Sequence, residues 1–326
     1  MESDILGLSY VSGNEGVEAA IFILGCLTVM KKKIRSLIHK TYGLLRLRLF
    51  FRPHIMSAEK TIRYIIRNRC SVARYGDGEF YLMLNEKGIG FQEKSPELAK
   101  KLDSVLLNHE KNLLICIPGS FNRVRNRTAE SKAYWLNWGL TDRHQEIIVR
   151  HLWQACGKDY RFGDAQITRP YIAVRNKQSG DRVFPLLSKL WDGRDVLIVE
   201  GRQTRMGVGN DLLANTKSIR RILAPATNAF SSYNDILASV LENAVKDTLV
   251  LLALGPTATV LAEELSRRGI QALDIGHIDL EYEWYLRRAT KRELISGKFV
   301  NELGTENPVD TCDDPGYLAQ IIAEIG

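Results

Sequence analysis

Two carboxylates at the end of a short apolar run are the residues of this chain best suited to chemistry. The run ends in Arg74-Tyr-Gly-Asp-Gly-Glu79, where Gly76 and Gly78 flank Asp77. In an extended segment residues i and i+2 project to the same side, so Asp77 and Glu79 are predicted to converge on one hard cation, Mn²⁺ or Mg²⁺. Gly76 would let a ligand approach the backbone closely, and Arg74 would face its negative charge. The alternative is a tight turn, because Asp-Gly after a strand is also a hairpin signal.

A glycine-rich stretch at 200–211 is a candidate phosphate-binding loop. It follows the apolar run 196–199 and reads Glu-Gly-Arg-Gln-Thr-Arg-Met-Gly-Val-Gly-Asn-Asp. Exposed backbone N–H groups and guanidinium groups both bind phosphate oxygens. The stretch is neither a P-loop nor a complete G-x-G-x-x-G, and a glycine-rich turn with solvated arginines is the alternative. The predicted contacts are Arg202, Arg205, Gly207, Gly209 and Asn210.

A second candidate anion site lies at Gly255-Pro256-Thr257, which leads directly into a predicted helix. The free N–H groups of a helix amino terminus attract anions, which here would be a nucleotide diphosphate. The threonine could equally cap the helix, and the two roles are compatible.

Four ionisable residues follow the apolar run 272–275, namely His277, Asp279, Glu281 and Glu283. Such a density after a strand exceeds what packing needs, and one of the four is predicted to act as general base toward a hydroxyl, with Glu283 or Asp279 favoured. For any single carboxylate the alternative is a salt bridge or exposure to solvent, and we expect this to hold for at least one.

The elements that must position these residues alternate between strand and helix. Apolar runs suited to buried strands are followed by helical patterns, which predicts an α/β, Rossmann-like, mainly parallel sheet with helices on both faces. Ligands bind such sheets at the carboxyl ends of the strands, where every candidate motif is found. Residues from about 121 to 160 are predicted to form a helical insertion between two sheet halves, and residues 317–325 a short helix. The predicted strands lie at 72–74, 113–117, 196–199, 219–223, 249–254 and 272–275.

Charge divides the chain of 326 residues into an arm and a body. Residues 31–52 contain eight Lys or Arg and no acid, which accounts for the whole net charge of +7 and leaves the body nearly neutral. A near-neutral body argues against a nucleic-acid partner. The arm, residues 1–55, is apolar and then basic, so it is predicted to contact an anionic membrane surface or to pack on the body as a helix. The catalytic domain is predicted to span 56–326. Five scattered cysteines without a C-x-x-C pair indicate a reducing compartment.

Taken together, the motifs resemble those of a bacterial family of glycosyltransferases with the glycosyltransferase-D fold. The matching stretches fall in order between about residues 57 and 300: RYGDGE (74–79), GDAQITRPY (163–171), VEG (199–201) with Arg205, GVGND (207–211), APATNAF (224–230), LGPTAT (254–259) and DIGHIDLEYEW (274–284).

The resemblance implies a UDP-sugar donor, such as UDP-glucose, and a divalent metal held by Asp77 and Glu79. It further implies transfer of a hexose, with inversion, to a hydroxyl of a surface glycan or glycoconjugate. We therefore expect an enzyme of polysaccharide biosynthesis in the cytoplasm, peripheral at the inner face of the membrane, that can form homo-oligomers. The alternatives are a non-catalytic sugar-nucleotide-binding partner, and another metal-assisted phosphotransferase or nucleotide-sugar hydrolase.

Overall fold

The strands of the described part of the chain form one sheet in which every pairing is parallel. Their order across the sheet is β1-β4-β3-β2-β8-β7-β5-β6-β9. The six predicted strands are all present, because parallel strands buried on both faces are near-continuous apolar runs that can be recognised from sequence. The strands are β1 (His54–Ile55), β2 (Ser71–Arg74), β3 (Leu113–Ile117), β4 (Arg161–Asp164), β5 (Asp195–Gly201), β6 (Ser218–Ala224), β7 (Leu249–Ala253), β8 (Ala272–Asp274) and β9 (Ile321–Glu324).

This arrangement comes from a computed structural model, which describes most of the body and little of the arm. The membrane-contacting arm predicted for residues 1–55 therefore lies almost entirely outside the described residues. No helix within the described ranges combines the length and apolar character needed to cross a bilayer. The ranges are 53–84, 87–108, 110–140, 143–157, 159–303, 309 and 311–326, together with residues 30, 31 and 34.

Helices cover both faces of the sheet. Serine side chains begin two of them, since Ser57 accepts from the Lys60 N–H and Ser95 from the Leu98 N–H. The helices are α1 (Ala58–Asn68), α2 (Asp77–Met83), α3 (Pro96–Leu107), α4 (Ala129–Leu140), α5 (Arg143–Cys156), α6 (Ser179–Leu187), α7 (Tyr233–Asn243), α8 (Pro256–Arg267), α9 (Ile278–Leu286) and α10 (Pro315–Gln320).

Two apolar layers, one on each face of the sheet, form the core. One layer contains residues of α2, α3, α4, α5, α7 and α8, and the other contains residues of α1, α6 and α9. Successive residues of β2 alternate between the layers, with Val72 on one side and Ala73 on the other, and Tyr75 just after the strand joins the layer of Ala73. The site described below lies where these layers meet the carboxyl edge of the sheet.

Three sequence-based expectations about the elements are corrected. Asp77 and Glu79 lie in the first turn of α2 and are not extended, because Gly76 caps a helix that acidic side chains favour at its amino end. Helices α4 and α5 do occupy the predicted insertion, but they form the crossover between the paired strands β3 and β4. The predicted helix at 317–325 ends at Gln320, and the chain continues as strand β9, which pairs with β6.

Strand β9 is held to the sheet by a buried arginine on β6. The Arg221 guanidinium donates to Glu200 Oε1 (2.6 Å), to the Met206 carbonyl (2.8 Å) and to Gln320 Oε1 (2.7 Å). It also lies over the ring of Tyr317. Burial raises the pKa of Glu200, and the charge of Arg221 opposes that effect. The ion pair therefore connects β5, β6 and the carboxyl-terminal segment.

We expect Arg221→Met to destabilise the chain by about 3–5 kcal/mol, because it leaves the Glu200 carboxylate buried without its cation. The measurement is the free energy of unfolding in urea. The matched control is Arg220→Met on the same strand, which removes one bond to the Asn243 carbonyl and should cost about 1 kcal/mol. Equal losses for the two variants would contradict the role given to the ion pair.

Candidate active site

Three predicted motifs meet at the carboxyl edge of the central strands. Asp77 follows β2, His277 follows β8 and Gly255 follows β7, and these strands are neighbours in the order β2-β8-β7. Parallel strands present their carboxyl ends at one edge, so the acidic pair and the glycine–threonine loop lie at the same edge with one strand between them. The predicted placement of both motifs at the carboxyl ends of parallel strands is confirmed, while a cation that bridges them stays a prediction.

A buried ion pair lies beneath this edge. Arg74 at the end of β2 donates to Asp274 Oδ1 (2.6 Å) and to the Asp274 carbonyl (2.7 Å) at the end of β8. It also donates to the Ala165 carbonyl (3.1 Å) and to Thr168 Oγ1 (2.8 Å), in the turn after β4. The Thr259 hydroxyl of α8 donates to the Arg74 carbonyl (2.9 Å). Burial raises the pKa of Asp274, opposed by the charge of Arg74. These contacts show that Arg74 connects β2 with β8 and with the turn after β4. Its predicted contact with a sugar-nucleotide donor stays a prediction.

Gly276 is required for this ion pair. Its φ of +44° lies in the left-handed region, and a Cβ added there would fall 2.2 Å from Arg74 Nη2. A side chain at position 276 would therefore displace the guanidinium.

The carboxylates of Asp77 and Glu79 both lie toward the amino end of α2. Glu79 Oε2 accepts from the Gly76 N–H (2.7 Å), which folds its side chain back to the start of the helix. Asp77 Oδ2 accepts a short hydrogen bond from the Tyr134 hydroxyl of α4. Burial, and after it the nearby charge of Asp274, raise the pKa of Glu79 to about 7. A bound cation would oppose both effects.

The donor chemistry of this pair fits a hard divalent cation, although not by the geometry expected from an extended chain. Both residues offer carboxylate oxygens, and oxygen ligands are those that Mg²⁺ and Mn²⁺ favour. The described residues contain no group of three or more His, Cys, Asp or Glu side chains that could hold a metal. Further ligands to a cation at Asp77 and Glu79 would therefore come from substrate or water.

The loop from β7 into α8 has the backbone of an anion site. Gly255 adopts φ +54°, and Pro256 occupies the first helical position, where it lacks an N–H that would in any case be unpaired. Thr257 is buried, and its hydroxyl has no hydrogen-bond partner among the described residues. The Thr257 side chain does not cap the helix, which argues against the capping alternative.

The segment from Phe91 to Glu93 (the Phe91 segment), which was not predicted from the sequence, covers this loop. The ring of Phe91 lies against Gly255, where an added Cβ would be 2.4 Å from it. Asn228, after β6, fixes the segment by donating its N–H to the Phe91 carbonyl (2.8 Å) and accepting from the Glu93 N–H (2.7 Å). Asn228 adopts the left-handed conformation that asparagine tolerates. The stretch APATNAF (224–230), which contains Asn228, was the signal in the sequence that could have pointed to this segment.

The second predicted group of site residues is buried among its own partners. Asp279 accepts from the Gly207 N–H (2.9 Å), from Asn210 Nδ2 (2.9 Å) and from Lys298 Nζ (2.6 Å). Glu283 accepts from the same two side chains, Asn210 (2.7 Å) and Lys298 (3.2 Å). In this structure the anion that meets the glycine-rich loop is thus a carboxylate of α9. The base role predicted for Asp279 and Glu283, and the phosphate contacts predicted for Gly207 and Asn210, stay predictions. The burial of the two carboxylates argues against these roles.

Glu281 likewise makes structural contacts, and they lie elsewhere. Its Oε2 accepts from the backbone N–H groups of Tyr171 (3.0 Å) and Ile172 (2.9 Å), so it fixes the loop after β4. Only His277 of the four candidate bases is partly exposed, at the amino end of α9.

The predicted phosphate-binding arginines are turned toward other parts of the fold. Arg205 is buried and donates to the Gly297 carbonyl (2.9 Å), while Arg202 donates to the Ile325 carbonyl beside β9 (2.8 Å). Gly209 adopts φ +77° with open space around its Cα. The glycine-rich loop follows β5, the neighbour of β7, while the contacts of these two arginines are with Gly297 and Ile325.

Comparison with known proteins identifies this architecture. Residues 72–303 match the model of the family described as "Glycosyltransferase GT-D fold". A solved structure described as a highly conserved domain of unknown function with a distinct glycosyltransferase fold is 35% identical, with a TM-score of 0.80, over 88% of this chain and 100% of that one. A structure described as a new glycosyltransferase from Streptococcus sanguinis is 33% identical, with a TM-score of 0.77, over 84% of this chain and 100% of that one.

Two curated relatives carry related names. A probable glycosyl transferase Gly of Streptococcus gordonii is 35% identical, and glycosyltransferase GlyD of Streptococcus pneumoniae serotype 4 is 33% identical, each over 83% of this chain. The match spans only 39% and 32% of the lengths of those relatives. Because the family model matches most of the sequence, this chain belongs to the glycosyltransferase family with the GT-D fold.

Proposed function

We propose that this chain is a metal-dependent glycosyltransferase that moves a hexose from a UDP-sugar, UDP-glucose or a similar donor, to a hydroxyl of a surface glycan or glycoconjugate. The supporting observation is that the acidic start of α2 and the amino end of α8 lie one strand apart at the same edge. A cation held by carboxylates can bind a diphosphate, and so can the N–H groups at a helix amino terminus. The family match supports the transfer reaction, and the motif resemblance supports uridine as the nucleotide.

Asp77 and Glu79 are the residues that would hold Mn²⁺ or Mg²⁺. When bound, the cation would neutralise negative charge on the diphosphate leaving group. The N–H groups at the start of α8, together with the backbone at Gly76 and Gly255, would orient the diphosphate. Arg74 would act by fixing Asp274 and the end of β2, and so the start of α2.

The proposed reaction is a single displacement with inversion. The acceptor oxygen attacks the anomeric carbon of the donor while the bond from that carbon to the diphosphate oxygen breaks. The acceptor proton passes to a base, which we place at His277. His277 follows β8, the neighbour of β2, and is partly exposed, whereas Asp279, Glu281 and Glu283 are buried.

The cellular setting proposed is polysaccharide biosynthesis in the cytoplasm, at the inner face of the membrane. The basic and apolar composition of residues 1–55 supports contact with an anionic surface. Self-association into a homo-oligomer is part of the same proposal.

We expect transfer from a UDP-hexose with Mn²⁺ to exceed transfer from GDP- and CMP-sugars, and Asp77→Asn to lower it by about 100-fold or more. The variant retains the size of the side chain but removes the charge that would hold the cation. The measurements are nucleotide release with and without acceptor, and Mn²⁺ binding by calorimetry.

The matched control for this variant is Glu97→Gln, which removes an exposed carboxylate from the first turn of α3 and should leave transfer unchanged. Faster transfer from a non-UDP sugar than from the UDP-hexose would overturn the donor assignment. Release without acceptor dependence would identify a hydrolase, and binding of UDP without turnover would identify a non-catalytic partner.

We expect His277→Gln to lower kcat by roughly 10²–10⁴-fold while the dissociation constant of UDP stays nearly the same, because the base acts only in the transition state. His54→Gln, an exposed residue of the edge strand β1, is the control and should behave like the unmodified chain. An unchanged kcat in His277→Gln, with kcat lost in Glu283→Gln, would return the base to the α9 carboxylates.

A further inference from the structure

One exposed aromatic residue touches the acidic pair from the crossover between β3 and β4. Tyr134 of α4 donates from its hydroxyl to Asp77 Oδ2, although the two residues are far apart in the sequence. Its side chain is nevertheless 46% exposed. A tyrosine that contacts the acidic pair and still presents its ring to solvent can meet a substrate.

The helix that carries Tyr134 is rigidly anchored to α2. Trp135 lies edge-on to Tyr134, with ring centroids 5.5 Å apart, and packs against Phe121 and Trp138. Phe121 and Trp138 in turn pack on Phe80 of α2, the helix that begins with Asp77. The position of the Tyr134 ring relative to Asp77 is therefore fixed by a continuous aromatic cluster.

Charged groups flank the same face of α4. Glu130 lies one helical turn before Tyr134 and forms an ion pair with Arg292 (3.3 Å), in the segment after α9. Arg169, half-buried after β4, lies close enough for its charge to oppose the burial that raises the pKa of Tyr134. A sugar has apolar C–H faces, which pack on an aromatic ring, and hydroxyl groups, which bond to charged side chains. An aromatic ring beside such charged groups is therefore suited to bind a sugar.

The order of the sheet separates this surface from the proposed nucleotide site. In chain order the amino end of α8 follows β7 and the Phe91 segment is bonded to Asn228 after β6, whereas α4 belongs to the crossover between β3 and β4, and Arg169 follows β4. A transferase needs its second substrate across the reaction centre from the leaving group. The acidic pair at the end of β2 lies between the two sides.

We propose that the face of α4 carrying Glu130 and Tyr134, with Arg169 and Arg292, is the acceptor subsite, and that the Tyr134 ring stacks on a sugar ring of the acceptor. This assignment rests on the proposed function and names the acceptor as a carbohydrate. The Tyr134–Asp77 hydrogen bond links occupancy of this subsite to the metal-binding carboxylate.

Two substitutions at position 134 separate the ring from the hydroxyl. Both Tyr134→Phe and Tyr134→Ala lose the bond to Asp77, but only Tyr134→Ala loses the ring. The probes are p-nitrophenyl hexosides and N-acetylhexosaminides, from which the best acceptor of the unmodified chain is chosen. We expect Tyr134→Ala to raise the acceptor KM about tenfold above that of Tyr134→Phe, with equal UDP affinity in both variants. Tyr64→Ala, which removes a ring that is 41% exposed on α1, is the control.

The outcomes distinguish this inference from the function on which it rests. Equal acceptor KM values for the two variants, or a tenfold loss of UDP affinity confined to Tyr134→Ala, would overturn the acceptor assignment while transfer itself stands. Binding of none of the hexosides by the unmodified chain, measured by saturation-transfer NMR, would overturn a carbohydrate as the acceptor. Absence of transfer from every nucleotide sugar to any acceptor would reject the proposed function instead.

Discussion

The ion pair between Arg74 and Asp274 is the constraint on which the geometry of the carboxyl edge depends. Removing two charges from water is costly, and the cost is offset only when bonds satisfy both groups. Here the guanidinium is bonded to the end of β8 and to the turn after β4, and Thr259 connects α8 to the end of β2. The starts of α2 and α8 therefore have fixed positions relative to each other. Gly276 completes the arrangement because any side chain there would enter the space of Arg74.

Two acidic groups that look alike in sequence have different physical roles. Asp77 and Glu79 remain at the edge of the sheet, in the first turn of α2, where their carboxylates suit a cation supplied from outside. Asp279 and Glu283 have an internal cation, Lys298, and both are nearly excluded from solvent. A buried carboxylate pair with its own lysine favours a fixed loop conformation over exchange of a proton with substrate. The α9 carboxylates thus anchor the glycine-rich loop to α9, within one layer of the fold.

Two further segments contribute to the carboxyl edge of the central strands. The Phe91 segment packs on Gly255 after β7 and is bonded to Asn228 after β6, whereas α4, in the crossover between β3 and β4, contacts Asp77 through Tyr134. Neither the Phe91 segment nor α4 is part of a recognisable phosphate-binding motif. Their placement gives the edge two unequal sides, one with a helix amino terminus and one with an exposed aromatic ring and charges. That asymmetry is what a reaction between an anionic donor and a neutral sugar requires.

The sequence by itself determined the parallel sheet and the polar stretches after its strands, because burial on both faces demands continuous apolar runs such as 249–253. It did not determine that Asp77 and Glu79 begin a helix, since Asp-Gly signals a turn as readily as a helix start. It also missed β9, whose four residues are a strand only because β6 lies beside them. Tertiary structure alone decided which carboxylates face the edge. Asp279 finds Gly207 and Lys298 through contacts that local spacing does not encode, and it is buried with those partners.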